Sequence, residues 1–204
     1  MDLFLVRHGE TEHNRQNIAL GREDVPLNAT GLRQAEALGR ALSGERLAVV
    51  YASPLARASR TAEAIAGLHD LEVVIDGGLI EMDVGEMDGL PLTDVREKFP
   101  GFLERWLGPE GWNERMPGGE RLIDVRDRAG AALSAIVKRH EGDRVCLVSH
   151  NFVILSLLTQ FMGLELAGFR RLRHSVAAIT RVEWRHGAPM VVSLNDTCHL
   201  DGIT

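Results

Sequence analysis

Four short clusters hold residue types suited to chemistry on an anion: Arg7-His8, Ser53 with Arg57, Glu81, and Ser149-His150. Each comes directly after an apolar run, at residues 3–6, 47–51, 79–80 and 145–148. Two histidines and two arginines brought together make a pocket for a phosphate-like group. Each guanidinium is worth roughly 4 kcal/mol at about 4 Å and an effective dielectric near 20. That attraction falls far short of the acceleration, up to ~10²¹, demanded by phosphate-monoester hydrolysis. A covalent route that divides the reaction suits the set better, with a neutral histidine nitrogen as nucleophile. Glu81 would protonate the leaving alkoxide and later take a proton from water. Asp83 and Glu86 are alternative acids in the same loop.

These groups need a frame that delivers them to one place. Residues 2–7 read as a buried strand, too short and too evenly apolar for an amphipathic helix. Asn28 or Thr30 then caps a helix to about Leu42, with Leu32, Ala35, Leu38, Ala41 and Leu42 on one face. A second buried strand covers 47–51. Ser53-Pro54 reads as a cap and first helical position of a helix reaching about Ala66. Residues 72–75 read as a third apolar strand, and the glycines of 79–89 indicate a folded loop. A helix opens at 117–120 and runs to about His140, with Leu122, Val125, Ala129, Leu133 and Ile136 spaced by three or four. A strand at 144–149 leads into an apolar helix over 152–161. Residues 176–184 and 190–194 read as an antiparallel pair around a turn at His186-Gly187-Ala188.

This alternation predicts an α/β fold: a three-layer α/β/α sandwich around a mostly parallel sheet with one antiparallel edge strand. One domain would span 1–204. Residues 91–116, with Phe99, Phe102, Trp106 and Trp112, form a cap-like helical insertion in this reading, either satellite core or a lid over the site. In open α/β sheets functional groups gather beyond the carboxyl ends of the strands, where the four clusters fall. Helix N-termini after Ser53 and His150 would add backbone donors. Arg22 and Arg60 are candidate substrate contacts.

Composition narrows the classes. A net charge of −6 gives no basis, at the level of the whole chain, for nucleic-acid or membrane partners. The two cysteines, Cys146 and Cys198, form no CxxC pair, so no disulfide framework is implied. Without a signal-like start or a membrane-length apolar run, a cytoplasmic location is expected. No G-x-S-x-G, P-loop or HExxH pattern occurs, which disfavours a serine hydrolase, P-loop phosphoryl transfer and zinc catalysis. The edge hairpin offers a surface for a second copy, a homodimer.

Taken together, the motifs resemble the histidine phosphatase superfamily in its phosphoglycerate mutase-like branch. The resemblance rests on Arg7-His8-Gly9 with Glu10-Thr11 and Asn14, then Gly21 to Leu27, Gly31 and Gln34-Ala35. It continues through Ser53-Pro54-Leu55 with Arg57 and Thr61, Glu81 with Gly85 and Gly89, Gly119-Glu120, Ser149-His150 and the stretch 195–200. The resemblance implies that His8 becomes phosphorylated while Arg7, Arg57 and His150 hold the phosphoryl group. It also implies a hydrogen bond from Asn14, proton donation by Glu81, and no metal or organic cofactor. Gly21 belongs to the matched segment at the phosphate site. Two positions depart from the family pattern. Asn151 stands where glycine is usual, its backbone N–H still available to phosphate, and Arg121 stands where Ser or Thr is common. Segment 91–116 is short, with only scattered Arg96, Lys98, Arg105 and Arg115, so a phosphatase for a small phosphomonoester with an apolar or uncharged body is expected rather than a mutase.

Overall fold

Alternate residues of the first strand feed two different cores. The computed structural model describes residues 1–185 and 187–203. In β1 (Asp2–Arg7), Leu3 and Leu5 enter one apolar cluster, while Phe4 and Val6 enter another on the opposite face. A strand places successive side chains on opposite faces, so a wholly apolar strand needs both faces covered. Both are. After α1 (Glu12–Gln16), α2 (Ala29–Leu42) and α3 (Ala56–Ala66) supply Leu38, Ala58 and Ile65 to one cluster. Farther along, α6 (Leu122–Arg139) and α7 (Asn151–Phe161) supply Leu122, Val125 and Ile154 to the other.

The remaining strands are β2 (Val49–Ala52), β3 (Val73–Ile75), β4 (Arg144–Ser149), β5 (Ile179–Arg185) and β6 (Ala188–Asp196). Their order is β3-β2-β4-β1-β5-β6. Strands β3, β2, β4 and β1 pair in parallel; β5 runs against β1, and β6 against β5. This is the expected three-layer α/β fold with its antiparallel hairpin at one edge. In the hairpin turn, His186 lies outside the described residues.

Local expectations needed several corrections. Leu32, 42% exposed, and Ala41 lie outside the buried face of α2. Ser53 does not cap α3; Leu55 takes that position without a side-chain bond, and the helix begins at Ala56. Strand β3 is an edge strand, so Val74 and Ile75 are exposed where a buried strand was expected. The helix after Gly119-Glu120 starts two residues later, at Leu122.

Residues 91–116 form α4 (Leu92–Lys98), α5 (Pro100–Leu107) and a short 3₁₀ turn. Phe102 and Trp106 are buried in the core cluster, with Trp106 against Phe102, Phe152 and Phe169. Of the two readings of these aromatics, satellite core is the one their packing matches.

Candidate active site

The turn after β1 is built around two glycines. Asn28 caps α2 through Gly31 N–H at 2.8 Å and also bonds Glu10, which seats the helix start on the turn. A side chain at Gly31 would overlap the Glu10 backbone, and one at Gly9 would overlap Gly31. Close backbone approach is the role glycine fills here.

His8 is buried, and its Nδ1 lies 2.7 Å from the Gly9 carbonyl. A carbonyl only accepts, so Nδ1 carries the proton and Nε2 of the neutral ring holds a lone pair. Burial, with Arg57 and Arg7 nearby, pushes the His8 pKa well below its ordinary 6.5. The ring is therefore neutral at physiological pH, as a nucleophile must be. His150 packs beside it with ring centroids 5.1 Å apart, and the same influences depress its pKa. Its Nε2 lies 2.6 Å from Ser53 Oγ.

Arg57 is fully buried. Its Nη1 and Nη2 donate to the carbonyls of Glu23 (2.8 Å) and Gly21 (2.7 Å). Gly21 thus positions Arg57 through its backbone, and Asp88 fixes that loop by accepting from the N–H groups of Gly21 and Glu23. Arg7 donates to the Asn151 side-chain oxygen (3.1 Å) and the His174 carbonyl (2.7 Å); burial lowers its pKa to about 10. Seven side-chain nitrogens are buried without a partner among the described residues, and three of them are Nε of Arg7, Nε of Arg57 and Nδ1 of His150. Buried polar groups are normally satisfied, so unpaired nitrogens on these three residues are chemically suited to an oxyanion.

Glu81 is the one acid of its loop that is buried; Glu86 is exposed and Asp83 bonds Gly85 N–H. Its oxygens accept from Met82 N–H (2.8 Å) and from Phe152 N–H (3.2 Å) in the first turn of α7. Burial raises its pKa; the two backbone bonds and the charges of Arg57 and Arg7 oppose the rise without cancelling it. Proton-donating capacity at a pH where ordinary carboxyls are ionised follows. One first-turn donor of each helix expected to meet phosphate is engaged by a carboxylate: Phe152 of α7 by Glu81, and Ala56 of α3 by Asp24.

The other candidates divide. Asn14 accepts from Thr11 through its side-chain oxygen, capping α1. It lines a cleft of about 580 Å³ with Arg7, Asn151, Leu92, Arg173 and His174. Arg22 sits behind the acid loop, bonded to Glu120 (2.9 Å) and to the Glu81 carbonyl (3.4 Å). Arg60 is not brought to the site; it points outward from α3 to Glu63 at 2.9 Å and lines a groove against α2.

Residues outside the catalytic candidates also contribute. Thr61, named with Arg57 in the second motif, accepts from Gly9 N–H through Oγ1 and donates to the Arg57 carbonyl, tying two motifs together. Arg128 donates to the carbonyls of Gly78, Ile80 and Glu81, Glu120 accepts from Asp83 N–H, and the His174 carbonyl anchors Arg7. Among the described residues no group of three or more His, Cys, Asp or Glu is placed to hold a metal ion.

A sheet edge presenting paired histidines, two buried arginines and a protonatable carboxyl defines a phosphoryl-handling protein. The chain belongs to the histidine phosphatase superfamily (branch 1), whose family model matches residues 3–197. It is 34% identical to phosphoserine phosphatase 1 of Hydrogenobacter thermophilus, covering 97% of this chain and 93% of that one. It is 32% identical to a probable phosphoglycerate mutase GpmB of Salmonella choleraesuis, covering 98% and 95%. Among solved structures, Bacillus stearothermophilus YhfR superposes with a TM-score of 0.92 at 31% identity, covering 98% of both chains.

Proposed function

We propose that the protein is a phosphatase that hydrolyses a small-molecule phosphomonoester through a phosphohistidine on His8. The observation that carries this is the set of buried, unpartnered donors on Arg7, Arg57 and His150 around a neutral His8. The substrate's phosphoryl oxygens satisfy those donors. His8 Nε2 attacks phosphorus, the bond from phosphorus to the ester oxygen breaks, and Glu81 gives its proton to the departing oxygen. With the alcohol gone, water attacks the phosphoryl group and returns a proton to the Glu81 carboxylate. The P–N bond breaks and phosphate leaves. Asn14 and the Asn151 backbone N–H are assigned to the phosphate as further donors. No step calls on a metal or organic cofactor.

The second reading is a phosphoglycerate mutase, favoured by the likeness to the Salmonella relative. A mutase must keep a bisphosphate bound while it turns, which calls for basic groups free to face it. Of the four basic residues of segment 91–116, Lys98, Arg105 and Arg115 are occupied by Asp94, Glu114 and Asp124 on the surface, and Arg96 does not line the cleft beside Arg7. The segment therefore adds no basic group there to retain a bisphosphate, which favours phosphate release.

In the same proposal the chain is one domain over 1–204, with 91–116 capping one flank. Its compartment is the cytoplasm, in keeping with Cys146 and Cys198 as free thiols. The outer strand β6 exposes Met190, Val192 and Leu194 on one face, which suits a homodimer.

The deciding experiment is metal-free hydrolysis of p-nitrophenyl phosphate with acid quenching and mass spectrometry of the protein. A phosphoryl adduct on the His8 peptide, absent in His8→Ala together with turnover, is expected. Full activity of His8→Ala would sink the mechanism. Robust interconversion of 2- and 3-phosphoglycerate primed by bisphosphoglycerate would replace phosphatase with mutase.

A further inference from the structure

The cleft beside Arg7 contains a cation that the phosphoryl chemistry does not use. Arg173 lines it and is exposed, with no hydrogen bond or ion pair among the described residues. The arginines behind the acid loop differ: Arg22 and Arg128 are both held by Glu120. Arg173 is nevertheless mounted on a fixed stretch. Leu172 N–H bonds the Phe169 carbonyl, the buried His174 ring bonds Thr180 through Nε2, and Ser175 N–H donates to Asn195 at 2.6 Å. The next residue's carbonyl is the group that holds Arg7 Nη1 at 2.7 Å. Arg7 and Arg173 line the same cleft, and Arg7 is bonded to the residue next to Arg173 in the chain. The acid lining the cleft, Glu10, is drawn to Asn28 Nδ2 at 2.7 Å and does not occupy Arg173.

A phosphate seated on Arg7 thus leaves the rest of a short substrate in a cleft lined by an unpaired guanidinium carried on an anchored backbone. A planar fork of donors matches a carboxylate in two parallel bonds, and does so far better than it matches an apolar body. We infer that the substrate is a short phosphomonoester bearing a carboxylate, which Arg173 receives. This deepens the phosphatase reading and corrects the expectation of an apolar or uncharged substrate body, since segment 91–116 contributes Leu92 alone to the cleft.

O-phosphoserine and O-phosphoethanolamine test it, because they differ only by the carboxylate. The wild-type protein should favour phosphoserine by about tenfold or more in kcat/KM, the usual scale for a hydrogen-bonded charged group. Arg173→Gln should erase that preference through KM and leave p-nitrophenyl phosphate within about twofold, since that substrate has no group for Arg173 to bind. Equal use of the two substrates by the wild type, or an equal fall for both in Arg173→Gln, would overturn the assignment. Calorimetric binding of the same pair to His8→Ala, with and without Arg173→Gln, reads the contact independently of turnover. If no substrate is hydrolysed but this binding difference persists, the phosphatase reading fails and the Arg173 assignment stands. If the binding difference is absent, the assignment fails whatever the activity.

Discussion

The floor of the site and the wall of its cleft are made in opposite ways. The floor is His8, Arg57, Glu81 and His150, all buried and held by backbone groups or, for His150, by the Ser53 hydroxyl. The wall at 172–176 is backbone-anchored, yet it turns an unpaired arginine toward solvent. Low dielectric strengthens every charge interaction on the floor and shifts its pKa values, whereas the wall works in water. Chemistry is therefore concentrated in the first region and substrate choice in the second. Substitutions should separate the two.

The largest effect is expected from removing the proton donor. Glu81→Gln should lower kcat on an alkyl phosphate by about 10²–10⁴, the range for general acid–base catalysis. Loss should be smaller in the phosphorylation of His8 by p-nitrophenyl phosphate, whose leaving group needs little protonation. The sign of the pH dependence follows from burial. Glu81 has a raised pKa, so its proton is present below that value and lost as pH rises through it. His8, the proposed nucleophile, has its pKa lowered and stays neutral well into acid. Phosphoryl transfer to His8 should then be favoured on the acid side and decline on the alkaline side. Single-turnover rates against pH check this. An alkaline decline unchanged in Glu81→Gln would assign the proton to another group.

The contrast also explains what could be read from the chain alone. Floor residues directly follow apolar runs, and in an α/β sheet the ends of such strands meet at one edge, so His8, Arg57 and His150 were legible. Glu81 was the acid chosen in its loop, and burial is what separates it from the alternatives Asp83 and Glu86. Arg60 failed for a geometric reason. The buried face of α3 runs through Arg57, Ala58, Thr61, Ala62 and Ile65, which leaves 60 outside with Glu63. Ser53 was misread as a cap because serine before proline is a common helix start; its hydroxyl instead meets His150. The wall was illegible. Arg7 meets the His174 carbonyl across 167 positions of sequence, and nothing local to 172–176 announces that pairing.

Next in size is a stability effect that should leave the chemistry alone. Trp106→Ala deletes a buried side chain packed between Phe102, Phe152 and Phe169, and large-to-small aromatic changes of this kind cost about 3–5 kcal/mol. Chemical denaturation should register the loss, while kcat per folded molecule changes little. A collapse of kcat in fully folded Trp106→Ala would make this segment part of the floor.

A smaller effect concerns acid stability. His8, His150 and His174 are buried with lowered pKa values, that of His174 down to about 3. Their unfolded forms take up protons near the ordinary 6.5, so the stability from these groups is complete above that value and is lost progressively as pH falls below it. Denaturation midpoints between pH 7 and 4 should show the decline, with a shallower slope in His174→Gln. An unchanged slope would remove His174 from the account.

The smallest effect tests the seam between floor and wall. Asn151 is the first residue of α7, and its side-chain oxygen shares Arg7 Nη1 with the His174 carbonyl. Asn151→Gly restores the residue usual at this position in the resembling family and deletes one of the two acceptors. The His174 carbonyl remains, so Arg7 is loosened, not released. The backbone N–H proposed to meet the phosphate is untouched. A fall of about threefold to tenfold in kcat/KM is expected, below the full value of a hydrogen bond to a charged group because one acceptor persists. Inhibition by inorganic phosphate should weaken in proportion, since phosphate meets Arg7 without any substrate body. The preference for phosphoserine over phosphoethanolamine should stay as in the wild type, because Arg173 is unaffected. If Asn151→Gly altered that preference while leaving phosphate inhibition unchanged, Asn151 would belong to the wall, touching the substrate body directly, and its contact with Arg7 would be incidental.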